Sequence, residues 1–267
     1  MTAELKLSDA QHDEIAARLH RAIRAGKGID PPSESIDYGF ADAYRIRRKL
    51  VDRLIADGGR PRGHKIGFTS LAMQKMYGMS GPDFGILLDT MFIAAGDPVR
   101  IGHLSDTRAE AEIAFELAQP LAGPGVTPAQ ALAATARVRA AIEVIDSRVG
   151  AMRAKANDSL ADNAGAGRVV LGAIALDPAD LALDAIRITM EVDGNRQEAP
   201  GSDVMGHPAA PLAWLANKLP ELGGLGGRLE PGDIVITGSP VRSVAVRPGS
   251  RLHATFGPLG SIDIAFG

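Results

Sequence analysis

The sequence predicts an α+β protein: a mixed, mostly antiparallel β-roll or barrel with a helical lobe at its N-terminal end. Three observations predict it. Residues 8–56 hold two amphipathic helical patterns. From His64 onward, short apolar segments alternate with Gly and Pro turns at strand spacing. Helical patterns interrupt that series at about 127–139 and 208–219. The expected division is a lobe over residues 1–60 and a roll over residues 61–267.

The first helix runs from Ser8 to Gly26. Ser8 can cap it, Ile15, Ala16, Leu19 and Ile23 share one face, and Gly26 and Gly28 stop it. A Pro/Ser-rich link, Asp30–Ser35, leads to a second helix over Phe40–Ala56 with Tyr44, Ile46, Leu50 and Leu54 as its stripe. The strand-like segments are Lys65–Phe68, Gly85–Leu88, Met91–Ile93, Ala111–Leu117, Ile142–Ile145, Val169–Leu171, Ile186–Val192, Ile234–Thr237, Leu252–Phe256 and Ile262–Phe266. Gly257–Ser261 joins the last two as a hairpin. Thr127 with Pro128, and Pro208, open the two interrupting helices. Gly223-Gly-Leu-Gly-Gly227 follows a helix and lacks a Lys-Ser/Thr pair, so it reads as a connector and not a phosphate loop.

Composition excludes several classes of function. The 267 residues are 45% hydrophobic and 23% charged with net charge −3, which is ordinary for a globular protein and shows no nucleic-acid footprint. No cysteine is present, so disulfides, thiolate metal sites and cysteine nucleophiles are out. The charged N-terminus does not read as a signal peptide, and no apolar run reaches the length of a bilayer span. A cytoplasmic protein without membrane or nucleic-acid partners is expected.

The chemistry concentrates in Arg108-Ala-Glu-Ala-Glu-Ile-Ala-Phe-Glu-Leu117. Its period of 2 puts Glu110, Glu112 and Glu116 on one strand face and Ala111, Ile113, Phe115 and Leu117 on the other. Such alternation is also how the wet face of a sheet reads. A third acid, Glu143, sits among Ile142, Val144 and Ile145, a run that looks buried. Buried carboxylates need a partner. A divalent ion shared by Glu110, Glu112 and Glu143 would provide one, because Mg²⁺ and Mn²⁺ prefer oxygen ligands.

Seven segments resemble one family in order and spacing: Gly63–Ser70, Gly81–Asp89, Glu110–Glu112, Ala141–Arg148, Ala161–Ala164, Val204–Pro208 and Pro231–Val235. Together they look like the 2-hydroxypentadienoate (2-keto-4-pentenoate) hydratase / 4-oxalocrotonate decarboxylase family, within the fumarylacetoacetate hydrolase-like superfamily. The resemblance runs from about residue 40 to the C-terminus. It implies the β-roll of that superfamily, Mg²⁺ or Mn²⁺ held by Glu110, Glu112 and Glu143, Lys65 as the active-site lysine and Asp83 as an acid near the substrate. It also implies a 2-oxo acid substrate from meta-cleavage breakdown of aromatic compounds, and a homo-oligomer able to associate with a partner hydratase or decarboxylase.

The implied reaction hydrates a 2-hydroxy-2,4-dienoate to a 4-hydroxy-2-oxo acid. The rival is decarboxylation of a 2-oxo-3-enedioate on the same scaffold. Lys65–Thr69 and Val126–Ala131 look decarboxylase-like, whereas Gly81–Gly85 and His253–Ser261 look hydratase-like. A non-catalytic subunit and a metal-free carboxylate-binding module are readings from other classes. Two departures bear on the substrate: Gly165 and Ala166 stand where many relatives carry serines, and Gly238-Ser-Pro-Val-Arg242 replaces a Ser-Phe-Thr.

Read without the resemblance, Lys65 is a surface lysine at a strand start, and Asp83, Asp162 and Asn163 are turn residues. With it, Lys65 becomes a proton shuttle whose pKa is lowered beside a cation. Arg148 is open between a structural pair with Asp146 and a bidentate contact to substrate, with Asp162 and Asn163 as further substrate contacts. His12, His20, His64, His103, His207 and His253 lack metal spacing and read as surface or capping residues.

Overall fold

The computed structural model describes residues 5–101, 104–150, 153–222 and 227–267; His103 and Gly223–Gly226 therefore lie outside the described residues. The expected α+β class and mixed, mostly antiparallel roll are what it shows. Helix α1 (Asp9–Ala25) starts with a Ser8/Gln11 capping box and ends at Gly26 in the left-handed region, as its sequence demands. Helix α2 (Phe40–Ala56) packs against it. Ile15, Leu19, Ile46 and Leu50 form a cluster with Val149, Leu160 and Ala161, so the two helices rest on residues far along the chain.

Strands β1 (Pro61–Gly67), β2 (Asp83–Leu88), β3 (Phe92–Ile93), β4 (Thr107–Leu117), β5 (Thr135–Asp146), β6 (Arg168–Leu176), β9 (Ile234–Ile236) and β10 (Val244–Ala245) build an eight-stranded sheet, with path order β2-β1-β9-β4-β5-β6-β3 and β10 beside β4. The β1–β9 and β3–β6 pairs are parallel and the rest antiparallel. A second sheet, in the order β12-β11-β7-β8, contains β7 (Arg187–Val192), β8 (Asn195–Pro200), β11 (Arg251–Thr255) and β12 (Ser261–Ala265). The largest apolar cluster joins both sheets: Ala111, Ile113, Phe115, Val138 and Ile142 from one, Ile188, Met190, Leu252 and Ile264 from the other. Helix α6 (Ala209–Leu222) adds Leu212, Leu215 and Leu219. No helix among the described residues is long and apolar enough to cross a membrane.

Several boundaries differ from expectation. The helix expected over 127–139 is α4 (Pro128–Ala133) and stops early, because Thr135 onward is taken into β5, where Arg137 pairs with Glu116 of β4. Sheet pairing overrides the helical propensity of the alanines. Helices α3 (Leu71–Tyr77) and α5 (Ala156–Ala161) are too short to give a periodic signal. Strand β8 is polar and exposed; its pairing with β7 is set by Asp193 and Gly194, both at positive φ (49° and 86°), which suits a two-residue hairpin.

Candidate active site

The antiparallel register of β4 and β5 sets Glu110 directly opposite Glu143, with Glu112 opposite Ala141. Because side chains alternate along a strand, all three acids project from the face opposite the main core. Carboxylate oxygens from the three lie within 4.8 Å of one another. Glu112 and Glu143 are fully buried, and Glu110 is partly covered. Glu112 Oε2 accepts a bond from Gly238 N at 2.6 Å, whereas Glu112 Oε1 and both oxygens of Glu143 make no hydrogen bond among the described residues. Gly238 sits at φ +90°, where an added Cβ would fall 2.5 Å from Thr69 Oγ1, so the approach to Glu112 needs glycine.

Lys65 lies on the same face through the parallel pairing of β1 with β9, which is in turn paired to β4. Its Nζ stands 3.3 Å from Glu143 Oε1, an ion pair without hydrogen-bond geometry, and donates to Ala164 O at 3.0 Å. Gly85 is opposite Lys65, and a Cβ there would crowd the lysine stem (3.1 Å to Cγ) and Asn163 O (2.5 Å). Asn163 and Ala164 both hold φ near 53°, an uncommon backbone state for non-glycine residues that turns the Ala164 carbonyl onto the lysine.

Electrostatics follow from this crowding. Burial first, then the neighbouring Glu143, push the Glu110 carboxyl up to about 7. Glu112 is raised well above the ordinary range by burial, then by Glu143 and Glu110. Burial pulls the Lys65 amine down, but the carboxylates of Glu143, Glu110, Glu112 and Asp83 outweigh burial and shift it upward.

Asp83 begins β2 and is fully buried on the face of Lys65. Its Oδ1 accepts from Phe84 N at 2.5 Å and lies 3.8 Å from Arg47 Nη1, while Oδ2 is buried without a hydrogen bond among the described residues. Burial raises this carboxyl to about 6 against the opposing pull of Arg47, Phe84 N and Lys65. The turn reading of Asp83 is thus replaced by a buried strand position.

Arg148, Asp162 and Asn163, the expected substrate contacts, are bonded within the protein. Arg148 is 2% exposed and gives Nε to Asp162 Oδ1 (2.7 Å), Nη1 to Ala166 O (2.9 Å) and Nη2 to Asp162 O (2.7 Å). Asp146 is also beside it, at 3.6 Å. Asp162 takes the Arg148 backbone N–H on its other oxygen. The Asn163 amide bonds both the N–H and the C=O of Ile86, at 2.8 Å each. All three polar groups are engaged by the frame behind the site.

The histidines need correction too. His12 is buried against Asp42 at 2.9 Å, and His64 is buried beside Phe84 and held neutral, its pKa pushed down to about 3 by burial and then by Arg47. His207 accepts from Ala209 N at the start of α6, as capping requires. Nothing in the sequence marks Arg47: within Arg45-Ile-Arg-Arg48 it resembles its solvated neighbours.

Comparisons with known proteins fit this geometry. The family model Fumarylacetoacetate (FAA) hydrolase C-terminal matches residues 70–265. The chain is 37% identical to 2-hydroxyhexa-2,4-dienoate hydratase of Comamonas testosteroni, over 97% of this chain and 99% of that one. It is 38% identical to 2-oxo-hept-4-ene-1,7-dioate hydratase of Escherichia coli, over 96% and 97%. Among solved structures it is similar to 4-oxalocrotonate decarboxylase from Pseudomonas putida G7, complexed with magnesium and adipate, with a TM-score of 0.94 and 29% identity over 99% of this chain and 100% of that one.

Proposed function

The chain belongs to the fumarylacetoacetate hydrolase family, and from that premise we propose that it is a metal-dependent lyase. It hydrates a 2-hydroxy-2,4-dienoate to a 4-hydroxy-2-oxo acid in the meta-cleavage breakdown of aromatic compounds. The observation that carries this reading is the trio Glu110, Glu112 and Glu143, in which three carboxylate oxygens make no hydrogen bond among the described residues. Three carboxylates with one lysine among them are costly at such depth, and a hard divalent cation is the partner their chemistry fits. We assign the three acids as ligands of Mg²⁺ or Mn²⁺; the magnesium in the P. putida G7 decarboxylase supports the first. When bound, the ion supplies Lewis-acid stabilisation of negative charge on the substrate 2-oxygen.

The protein's own groups move the protons. Lys65, held by Ala164 O and beside Glu143, delivers a proton to C5 and recovers the one released from the 2-hydroxyl as the dienol becomes the 2-ketone. That shift leaves a C3=C4 bond conjugated with the ketone, and C4 becomes electrophilic. Water bonds to C4 through its oxygen and gives a proton to Asp83 Oδ2, and Asp83 returns that proton to C3. Arg148, Asp162 and Asn163 brace the strand ends and position Lys65 and β2 without touching substrate. The family reading also carries a cytoplasmic homo-oligomer able to associate with a partner enzyme.

A second reading, decarboxylation of a 2-oxo-3-enedioate, is favoured by the structural likeness to the P. putida G7 enzyme. One experiment separates them: incubation with a 2-hydroxydienoate and, separately, with 4-oxalocrotonate, following diene absorbance and CO₂, before and after chelation. The expected result is 4-hydroxy-2-oxo acid from the dienoate, lost on chelation and restored by Mg²⁺ or Mn²⁺. CO₂ from the dioate with an inert dienoate overturns the hydratase reading. Turnover indifferent to chelator removes the metal from it.

A further inference from the structure

Arg47 comes from the middle of α2, outside the strand cluster that forms the site, yet it is among the deepest charges in the molecule at 2% exposed. Its guanidinium lies 3.9 Å from the Phe84 ring centroid and 4.8 Å from that of Tyr44. Nη1 donates to Phe84 O at 2.5 Å and stands 3.8 Å from Asp83 Oδ1. A buried cation costs free energy unless its field is used. Here the nearest carboxylate is Asp83, whose two oxygens are treated differently: Oδ1 faces Phe84 N and Arg47, and Oδ2 is buried with no hydrogen bond among the described residues.

We propose that Arg47 is a positioning residue for Asp83: it fixes one carboxylate oxygen against β2 and keeps the group ionised at neutral pH, leaving the other oxygen to accept a proton. The assignment rests on the hydratase reading for what that proton does, but not for the electrostatics. Other groups packed around Asp83 do not substitute for Arg47. Tyr44, also on α2, is neutral. His64 on β1 is neutral. Lys65 on β1 is positive but shared among Glu110, Glu112 and Glu143. From the segments packed on the far side of β2, Asn163 is an uncharged amide bound to Ile86, and the Asp158 carboxylate of α5 is bonded to Ser33 and Tyr38. Arg suits the place better than Lys because its flat guanidinium stacks on the two rings while one N–H reaches the Phe84 carbonyl.

The test compares wild type, Arg47→Gln, Arg47→Lys and Arg47→Met as Mg²⁺-loaded protein. Arg47→Met keeps an apolar stem beside the rings and serves where glutamine compromises folding. Two readouts are taken: the pH profile of kcat/KM for the dienoate, and the Asp83 carboxyl titration by ¹³C NMR, assigned with Asp83→Asn. In Arg47→Gln and Arg47→Met both the acid limb and the Asp83 midpoint should move up by about one pH unit or more, the size of losing an opposite charge at this range. Arg47→Lys should keep both nearer to wild type. An Asp83 midpoint that is the same in folded Arg47→Gln or Arg47→Met as in wild type overturns the proposal, whatever happens to turnover. A displaced midpoint in an enzyme that hydrates nothing would instead support Arg47's role and remove the hydratase reading.

Discussion

Asp42 and Asp158, in the helical part, are as deeply buried as Glu112 and Glu143, on the β4–β5 face. Asp42 accepts from Lys6 N, Leu7 N, Gly39 N and His12 Nε2. Asp158 accepts from Ser33 N, Ser33 Oγ, Tyr38 OH and Lys155 N. Among the described residues, Glu112 and Glu143 between them take one hydrogen bond, from Gly238 N. Although burial raises the Asp42 carboxyl, its donors outweigh burial and hold it low, whereas burial and like charge drive Glu112 up. Depth alone therefore does not mark a functional acid. A carboxylate that the fold has satisfied serves the fold, and one left without donors is kept for something that binds.

Replacing each kind should give opposite results, and the largest effect is expected in the satisfied group. Asp42→Ala strands the donors of Lys6, Leu7, Gly39 and His12, and should cost about 3–5 kcal/mol in urea unfolding. Activity per folded molecule should persist. A loss under about 1 kcal/mol would erase the contrast.

Glu112→Gln should do the reverse. Turnover should fall at least about a hundredfold and Mg²⁺ affinity by at least the roughly 10–100-fold that even outer partners of a metal contribute. The metal-free variant should melt no lower than wild type, since a repelling charge is gone. Calorimetric titration checks the binding: Mg²⁺ at about 100 times its Kd should stabilise wild type by about 2.7 kcal/mol and the variant far less. Full activity in Glu112→Gln would contradict the ligand assignment.

The smallest expected effect is a pH slope. Asp83 has a folded pKa of about 6, above the usual value of an unfolded aspartate. Between about pH 4 and 6 the folded state holds the proton more tightly, so this group's contribution to stability falls as pH rises through that window and is flat above it. Asp83→Asn should abolish that contribution, flattening the stability difference between those pH values by on the order of 2 kcal/mol. Parallel curves for wild type and Asp83→Asn would mean the carboxyl is not perturbed.

What could be read in the chain was what repeats locally. The alternation in Arg108–Leu117 placed Glu110 and Glu112 on one face, and the β-branched run around Glu143 announced its burial. The capped helices α1 and α2 were legible for the same reason. What stayed hidden depends on partners distant in sequence. Nothing near Arg148 says that Asp162 and Ala166 will take its nitrogens, and nothing near Arg47 says that β2 lies under it. Strand β8 was invisible because its polar residues form a strand only by pairing with β7.

Strand β2 borders the larger sheet, and its outward backbone groups are occupied by side chains: Asp83 on the Phe84 N–H, Arg47 on the Phe84 carbonyl, Asn163 on both groups of Ile86 and Met91 sulfur on the Leu88 N–H. A bare sheet rim is a template onto which a foreign strand can zip. Here that template is plugged rung by rung, so growth of the sheet by strand addition, whether in crowded solution or during assembly, has no purchase on this side.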